Sequence, residues 1–184
     1  MPLPPLADAD WPPELAHLRD GFVGRGNVYR VMAHHPALLG AWSGLRKHVV
    51  TENALGAERI EVVILRVAHR LGAPYEWDHH VVRGRKAGLT DSRIRSMAGP
   101  VEAMDPADAT LARAVDALTT GALTAGARLP VDLQAEVTAL VGTHGLLDLI
   151  ATVGFYATLA FIVNSFDTPL DADIAEALAR RPLD

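Results

Sequence analysis

The chain has 184 residues, of which 17 are Lys or Arg and 22 are Asp or Glu, so its formal net charge is −5. A net negative chain argues against nonspecific binding to nucleic acid, which depends on cationic contacts with phosphates. The absence of cysteine excludes disulfides, thiolate metal sites, thiol nucleophiles and dithiol redox chemistry. With 49% apolar residues at this length, we expect one globular domain that spans residues 1–184.

Helical periodicity dominates the sequence, and neither alternating strand patterns nor hairpin turn signals accompany it. Residues 1–13 hold five of the twelve prolines, so this segment is predicted to be an irregular arm. A loop is expected at Gly121–Leu129. The predicted helices are Asn27–His34, Ala37–Val50, Ala57–Leu71, Pro74–Ala87, Thr90–Met97, Pro106–Thr120, Pro130–Val141, Leu146–Phe166 and Leu170–Arg180. The sequence therefore predicts an all-α protein of about eight or nine helices.

Residues 57–97 form the most regular part of the pattern, a predicted core hairpin of two helices. Gly72 precedes Pro74, which suits the first turn of the second helix, and Gly88 suits the end of that helix. Glu61 interrupts an otherwise apolar run in the first helix, so its carboxylate needs a partner. If the two helices are antiparallel, the positions of Glu61 and His80 along the helix axes differ by only about 5 Å. We therefore expect Glu61 to contact His80, the alternative being a solvent-facing Glu61 paired with Arg or Lys.

Residues 75–80, with the sequence YEWDHH, hold the densest group of side chains capable of chemistry. Glu76 and His80 are four residues apart, so they share a helix face and can hydrogen-bond. A carboxylate beside an imidazole fixes its tautomer and stabilises its cation, as a general acid or base requires. A metal-dependent enzyme remains open as an alternative, because Glu76 and His79 have the Glu-x-x-His spacing of di-iron bundles. Its ligands would be Glu61, Glu76, His79 and His80, but a second copy of the motif is missing.

The stretch Glu58–Ile94, ERIEVVILRVAHRLGAPYEWDHHVVRGRKAGLTDSRI, resembles the carboxymuconolactone decarboxylase family, which includes the alkylhydroperoxidase D branch. The shared features are an acidic residue in an apolar helix, a bend, an active-site motif ending in His, and an AGLT-type turn. In the peroxidase branch the motif is Cys-x-x-Cys-x-x-x-His, and the two cysteine positions fall on Ala73 and Glu76 here. Thiol-based peroxide reduction is therefore excluded, while the family's Glu and His correspond to Glu61 and His80.

The resemblance implies an antiparallel helical bundle that assembles into a trimer or hexamer, with its site near a subunit interface. It also implies a lyase-like enzyme, a decarboxylase or isomerase, that acts on a small lactone or unsaturated carboxylic acid without metal or cofactor. His80 is then the proton donor or base, Glu61 orients it, and Glu76 is the second acid–base group. The predicted substrate-binding residues are Tyr75, Trp77, His79 and Arg83, with Arg83 as the anchor of a substrate carboxylate.

A rival interpretation makes the chain a non-catalytic helical protein, an oligomeric binding or scaffold module that keeps the hairpin for packing alone. In that case Glu61 and His80 are buried partners without a reachable cavity.

The apolar segment Leu146–Val163 has about the minimum length of a membrane span. Because Asp148 lies inside it and Lys and Arg do not flank it, we expect a helix buried in the core or at a subunit interface. The expected location is the cytoplasm.

Overall fold

The computed structural model describes residues 3–121, 126 and 128–183, and the described chain is all helical, without strands, as predicted. A π-type turn, His48–Glu52, follows the third helix. The nine α-helices are α1 (Ala16–Arg19), α2 (Asn27–Met32), α3 (Pro36–Lys47), α4 (Ala57–Arg70), α5 (Pro74–Ala87), α6 (Asp91–Ser96), α7 (Pro106–Gly121), α8 (Val131–Ser165) and α9 (Ala172–Arg180). Of the predicted loop Gly121–Leu129, residues 122–125 and 127 lie outside the described residues.

Helix α4 lies at the centre of the fold and packs against α5, α7 and α8. Every residue from Ile60 to Ala68 is buried, which is why the apolar surface of this helix extends around its whole circumference. The two charged residues in this stretch, Glu61 and Arg66, are buried with it and must therefore find polar partners inside the protein. Glu61 faces the α5 side of the bundle, and Arg66 faces α7.

The bend between α4 and α5 forms as the glycine and proline pattern predicts. Gly72 adopts a φ of 56°, in the left-handed region that glycine tolerates best, and Pro74 occupies the first turn of α5. Gly88 ends α5 with a φ of 105°, and the amide of Leu89 donates to the carbonyl of Gly84 over 2.8 Å. The two helices therefore form an antiparallel hairpin that places Glu61 opposite His80.

Helix α8 joins two of the predicted helices into one long element with a break. Gly142, with φ 73° and ψ 174°, interrupts the helical backbone, and the helix resumes directly after it rather than at Leu146. A Cβ atom on Gly145 would lie 2.6 Å from the Cβ of Val141, so glycine is required where the two halves approach. By length and composition α8 resembles a membrane span. Many residues of its second half, among them Leu149 and Phe155, are however buried in the core.

The N-terminal arm is irregular, as predicted, but it is packed onto the bundle. Trp11 and Leu15 are buried, and the Trp11 indole donates to the Leu15 carbonyl over 2.9 Å. Arg30 of α2 binds the arm through the Leu6 carbonyl. The arm continues into α1, a single turn that the sequence pattern did not indicate. At the other end of the chain, α9 packs on α5 and brings its first residues towards the hairpin.

Candidate active site

The predicted contact between Glu61 and His80 is present in the interior of the hairpin. The Nδ1 atom of His80 lies 2.6 Å from the Oε2 atom of Glu61. His80 is 1% exposed, and its ring meets the ring of Tyr156 edge to face at 5.0 Å. Because Glu61 is also buried, this hydrogen bond forms where water does not compete for either group, and it fixes the orientation of the imidazole.

The protonation of His80 follows from its burial. Removal from water lowers the pKa of His80, and the attraction of the Glu61 carboxylate only partly opposes that shift. At neutral pH the ring is therefore neutral, with its proton on Nδ1 and shared with Glu61. The other nitrogen, Nε2, carries a lone pair and lies 3.8 Å from the Oε2 atom of Glu76. This is the arrangement of an oriented general base.

Glu76 is a buried carboxyl group with an unfilled position. It is 4% exposed, and its Oε1 atom has no hydrogen-bond partner among the described residues. Burial raises the pKa of Glu76 to about 7, although the charges of His79 and Arg83 act in the opposite direction. Near neutral pH a large fraction of this group holds its proton, so Glu76 can donate where an ordinary glutamate can only accept.

His79 belongs to a second polar network that ties three helices together. Its Nδ1 atom lies 2.8 Å from the Tyr75 carbonyl and must donate to it, while its Nε2 atom lies 2.8 Å from a carboxylate oxygen of Asp171. Both nitrogens thus face acceptors, and a proton is shared between His79 and Asp171. Asp171 also accepts from the Tyr75 hydroxyl at 3.3 Å and from the backbone amide of Asn27 at 2.8 Å. Both ring nitrogens of His79 are therefore engaged within the protein.

One small cavity connects the two networks. Its volume is about 20 Å³, close to what a single water molecule needs. The three tyrosines of the chain, Tyr29, Tyr75 and Tyr156, all line it. The other residues around it are Phe22, Gly26, Val28, Glu76, His79, His80, Arg83, Leu159 and Asp171.

The structure brings most of the predicted site residues together but leaves Trp77 apart. Tyr75, Glu76, His79, His80 and Arg83 line the cavity, and Glu61 contacts it through His80. The Trp77 ring instead lies on the opposite side of α5, 6.4 Å from the exposed His69. No group of three or more His, Asp or Glu side chains in the described chain has the arrangement of a metal site.

Seven cavity residues were not identified as site residues from the sequence: Phe22, Gly26, Val28, Tyr29, Tyr156, Leu159 and Asp171. Asp171 lies in the predicted helix Leu170–Arg180 and directly precedes the observed α9, and Tyr29 lies in a predicted short helix. Neither position carries a local pattern that links it to residues 75–80. Their convergence depends on tertiary packing between segments up to 96 residues apart.

Residues 36–120 match the model of the carboxymuconolactone decarboxylase family. The matched segment runs from the start of α3 to the last turn of α7 and contains Glu61, Glu76, His80 and Arg83. The cavity residues Phe22, Tyr29, Tyr156 and Asp171 lie outside it. No curated protein matches the sequence significantly.

Two solved structures share the fold over nearly the whole chain. The debrominase Bmp8 in its apo form has a TM-score of 0.72 and 15% identity, with 99% of this chain and 97% of that chain covered. A cysteine-to-alanine variant of Bmp8 in complex with 2,3,4-tribromopyrrole has a TM-score of 0.70, 17% identity and the same coverage. At this identity the likeness shows that the chain shares their helical fold, and nothing more.

Proposed function

We propose that this protein is an acid–base enzyme that moves protons at carbon next to a carbonyl group, in a decarboxylation or an isomerisation. The observation that supports this most directly is the pairing of opposite protonation states in one cavity. His80 is held neutral with a free Nε2, and Glu76, 3.8 Å away, has a pKa of about 7. Burial thus inverts the usual order of the two pKa values, which leaves the imidazole free to accept a proton while the carboxyl group holds one to donate. The substrate class we propose is a small lactone or unsaturated carboxylic acid.

Both reactions balance with these two groups. In the isomerisation of a β,γ-unsaturated substrate, Nε2 of His80 takes a proton from the carbon beside the carbonyl, and the electron pair is delocalised into a dienolate. Glu76 then donates a proton to the γ carbon of the dienolate, which moves the double bond next to the carbonyl, and solvent restores the protonation of both groups. In a decarboxylation, the bond to the carboxylate breaks, carbon dioxide leaves, and the enolate takes one proton from Glu76. In both cases a donor aimed at the developing oxyanion lowers the barrier.

Arg83 supports an anionic substrate. Its guanidinium lines the cavity and forms no ion pair with any residue that the structure describes, so it is available for a substrate carboxylate.

The debrominase neighbours include a form with an altered cysteine, whereas this chain has no cysteine at all. Any reaction here must therefore proceed without a thiolate, which favours the Glu–His groups over reductive chemistry.

The pH dependence of turnover tests this proposal. Purified protein is offered unsaturated lactones and β-oxo acids in deuterated buffer, and NMR follows deuterium uptake, isomerisation and loss of carbon dioxide. We expect a bell-shaped profile. Activity rises with pH as His80 loses its proton below its usual pKa of 6.5, and falls as Glu76 ionises at about 7. Glu76→Gln removes the proton donor, so turnover is expected to fall at every pH, and the residual turnover is expected to lack the alkaline limb. Absence of both turnover and deuterium exchange across the panel contradicts the proposal.

The cavity volume favours one alternative. A space of about 20 Å³ does not admit a lactone, as expected for a non-catalytic scaffold protein in which Glu61 and His80 serve packing. The two functions predict different effects of substitutions at His80. If the protein is a scaffold, a His80 variant is less stable and neither protein turns over substrate. If the protein is an enzyme, the variant loses turnover but stays folded.

We also propose that the protein forms a homo-oligomer, a trimer or hexamer, through the exposed face of α8. Leu147 and Phe161 are 59% and 61% exposed, and Ile150 and Gly154 lie between them on the same face. An apolar face of this kind on a surface helix is typical of a protein–protein interface. In this proposal α8 lies between subunits of a cytoplasmic assembly rather than in a membrane.

Phe161→Glu is expected to convert the assembly to monomers, because a carboxylate buried in an apolar interface loses its water without gaining a partner. Size-exclusion chromatography with light scattering measures the mass. Val131→Glu is the matched control, since Val131 is also exposed but lies before the break at Gly142. A wild-type protein that is monomeric at micromolar concentration contradicts the proposed assembly.

A further inference from the structure

Phe22 lies between the small cavity and solvent. It lines the cavity and is 44% exposed, although it is a large apolar side chain. Its ring contacts two cations, with the guanidinium carbon of Arg46 4.1 Å and that of Arg83 4.4 Å from the ring centre. The ring of Tyr29 meets it edge to face at 6.0 Å. The Phe22 ring therefore occupies a position that two positive charges face.

Both arginines lack an acidic partner. Neither Arg46 nor Arg83 forms an ion pair with a residue of the described chain, and the polar contact that Arg46 makes is a bond from its Nε to the Tyr29 hydroxyl at 3.2 Å. An aromatic ring offers a guanidinium less than a carboxylate does, because the cation–π attraction is weaker than a charge-assisted, bidentate hydrogen bond. An anion of suitable size therefore competes well with Phe22 for this position.

The same cavity contains an unpaired acid. Oε1 of Glu76, in a side chain 4% exposed, has no hydrogen-bond partner, and buried polar atoms in proteins are rarely left so. Arg83 in the cavity lining and Arg46 against the Phe22 ring thus have no carboxylate partner, and the cavity also holds a carboxyl oxygen without a partner. A ligand with an anionic group at one end and an oxygen function at the other satisfies all three groups at once.

The backbone around Phe22 permits the exchange without a large rearrangement. Val23 is buried and anchors the segment, and a Cβ atom on Gly24 would lie 1.9 Å from the Arg19 carbonyl oxygen, so the chain is tightly packed there. Because 44% of Phe22 is exposed, a different χ1 rotamer can place its ring in solvent while the backbone stays in place. Its departure leaves room at the edge of the cavity for a ligand that the closed cavity does not admit.

We propose that Phe22 is a displaceable plug over an anion site, and that a substrate carboxylate takes its place between Arg46 and Arg83. The rest of the ligand then extends to Glu76 and His80. The ligand class is a small carboxylate with a second oxygen function at its other end. This inference rests on the proposed function for the identity of the reacting end, but the anion site itself does not require that any reaction occurs.

Calorimetric titration with sodium maleate, a small planar dicarboxylate, tests the plug. The titrations use His80→Asn protein, so that binding is measured apart from any proton transfer at His80. Phe22→Ala removes the competing ring with its two cation–π contacts and is expected to tighten maleate binding about tenfold. Adding Arg46→Gln or Arg83→Gln to Phe22→Ala is expected to abolish that gain. Adding Arg113→Gln, a change at an exposed ion pair on α7, is expected to leave it intact.

Equal maleate affinity with and without Phe22 overturns the plug, and so does a gain that survives both arginine substitutions. The outcome is separable from that of the proposed function. If maleate binds at this site but the protein turns over no substrate, the anion site is supported and the proposed enzymatic function is contradicted. If turnover does not change when Phe22, Arg46 and Arg83 are substituted, the enzymatic function is supported and the anion site is contradicted.

Discussion

Replacing His80 with asparagine is expected to lower turnover by roughly 100- to 10,000-fold, the range that a positioned general base contributes. The side-chain amide of asparagine can still donate to Glu61 in place of Nδ1, which lies 2.6 Å from that carboxylate. The variant lacks Nε2, the atom that faces Glu76 and the cavity. The substitution therefore separates the acid–base role of the imidazole from its structural hydrogen bond. Turnover by NMR, together with the melting temperature, measures the two effects.

His69→Asn is the control for this experiment. His69 lies near the end of α4, is exposed, and contacts Trp77 rather than the cavity. We expect its replacement to leave turnover and stability close to those of the wild type. A His80→Asn protein that melts many degrees lower, with a wild type that turns over none of the substrates, favours the scaffold. Unchanged turnover in His80→Asn eliminates His80 as the base.

The hairpin was predictable because every signal for it is local. The apolar run of α4, Gly72 and Pro74 at the bend and Gly88 at the end of α5 each act within one or two helical turns. Once the bend is placed, the rise per residue of a helix sets Glu61 opposite His80. The contact at 2.6 Å therefore follows from arithmetic on the sequence.

The other side of the cavity was not predictable from local pattern. Asp171 reaches His79 across 92 residues of chain, and Tyr156 meets His80 from a long apolar helix in which most positions resemble one another. Trp77 shows the converse: it lies within the motif but on the other face of α5. Membership of a motif does not determine which way a side chain points, and the partner of a buried carboxylate depends on how separate segments pack.

Arg66 shows the same limit in the core, since its neighbours in the sequence do not reveal whether it is solvated or paired. In the structure it is 4% exposed and uses all three guanidinium nitrogens. Two of them bind Asp116 of α7 at 2.8 and 2.6 Å. The third donates to the carbonyls of Met97 and Gly99 at 3.0 and 2.8 Å, beyond the end of α6. One side chain thus joins α4, α6 and α7.

Arg66→Ala is expected to lower the free energy of unfolding by about 3 kcal/mol, measured by urea denaturation at neutral pH. Asp116 retains a contact with Arg70 at 3.3 Å, so most of the loss comes from the two carbonyls left without donors and from the space that the side chain filled. Arg113→Ala is the matched control. Its ion pair with Glu136 joins two side chains that are 44% and 46% exposed, so its loss should cost less than about 1 kcal/mol. Equal losses in the two variants contradict the central role of Arg66, because burial is what distinguishes the two pairs.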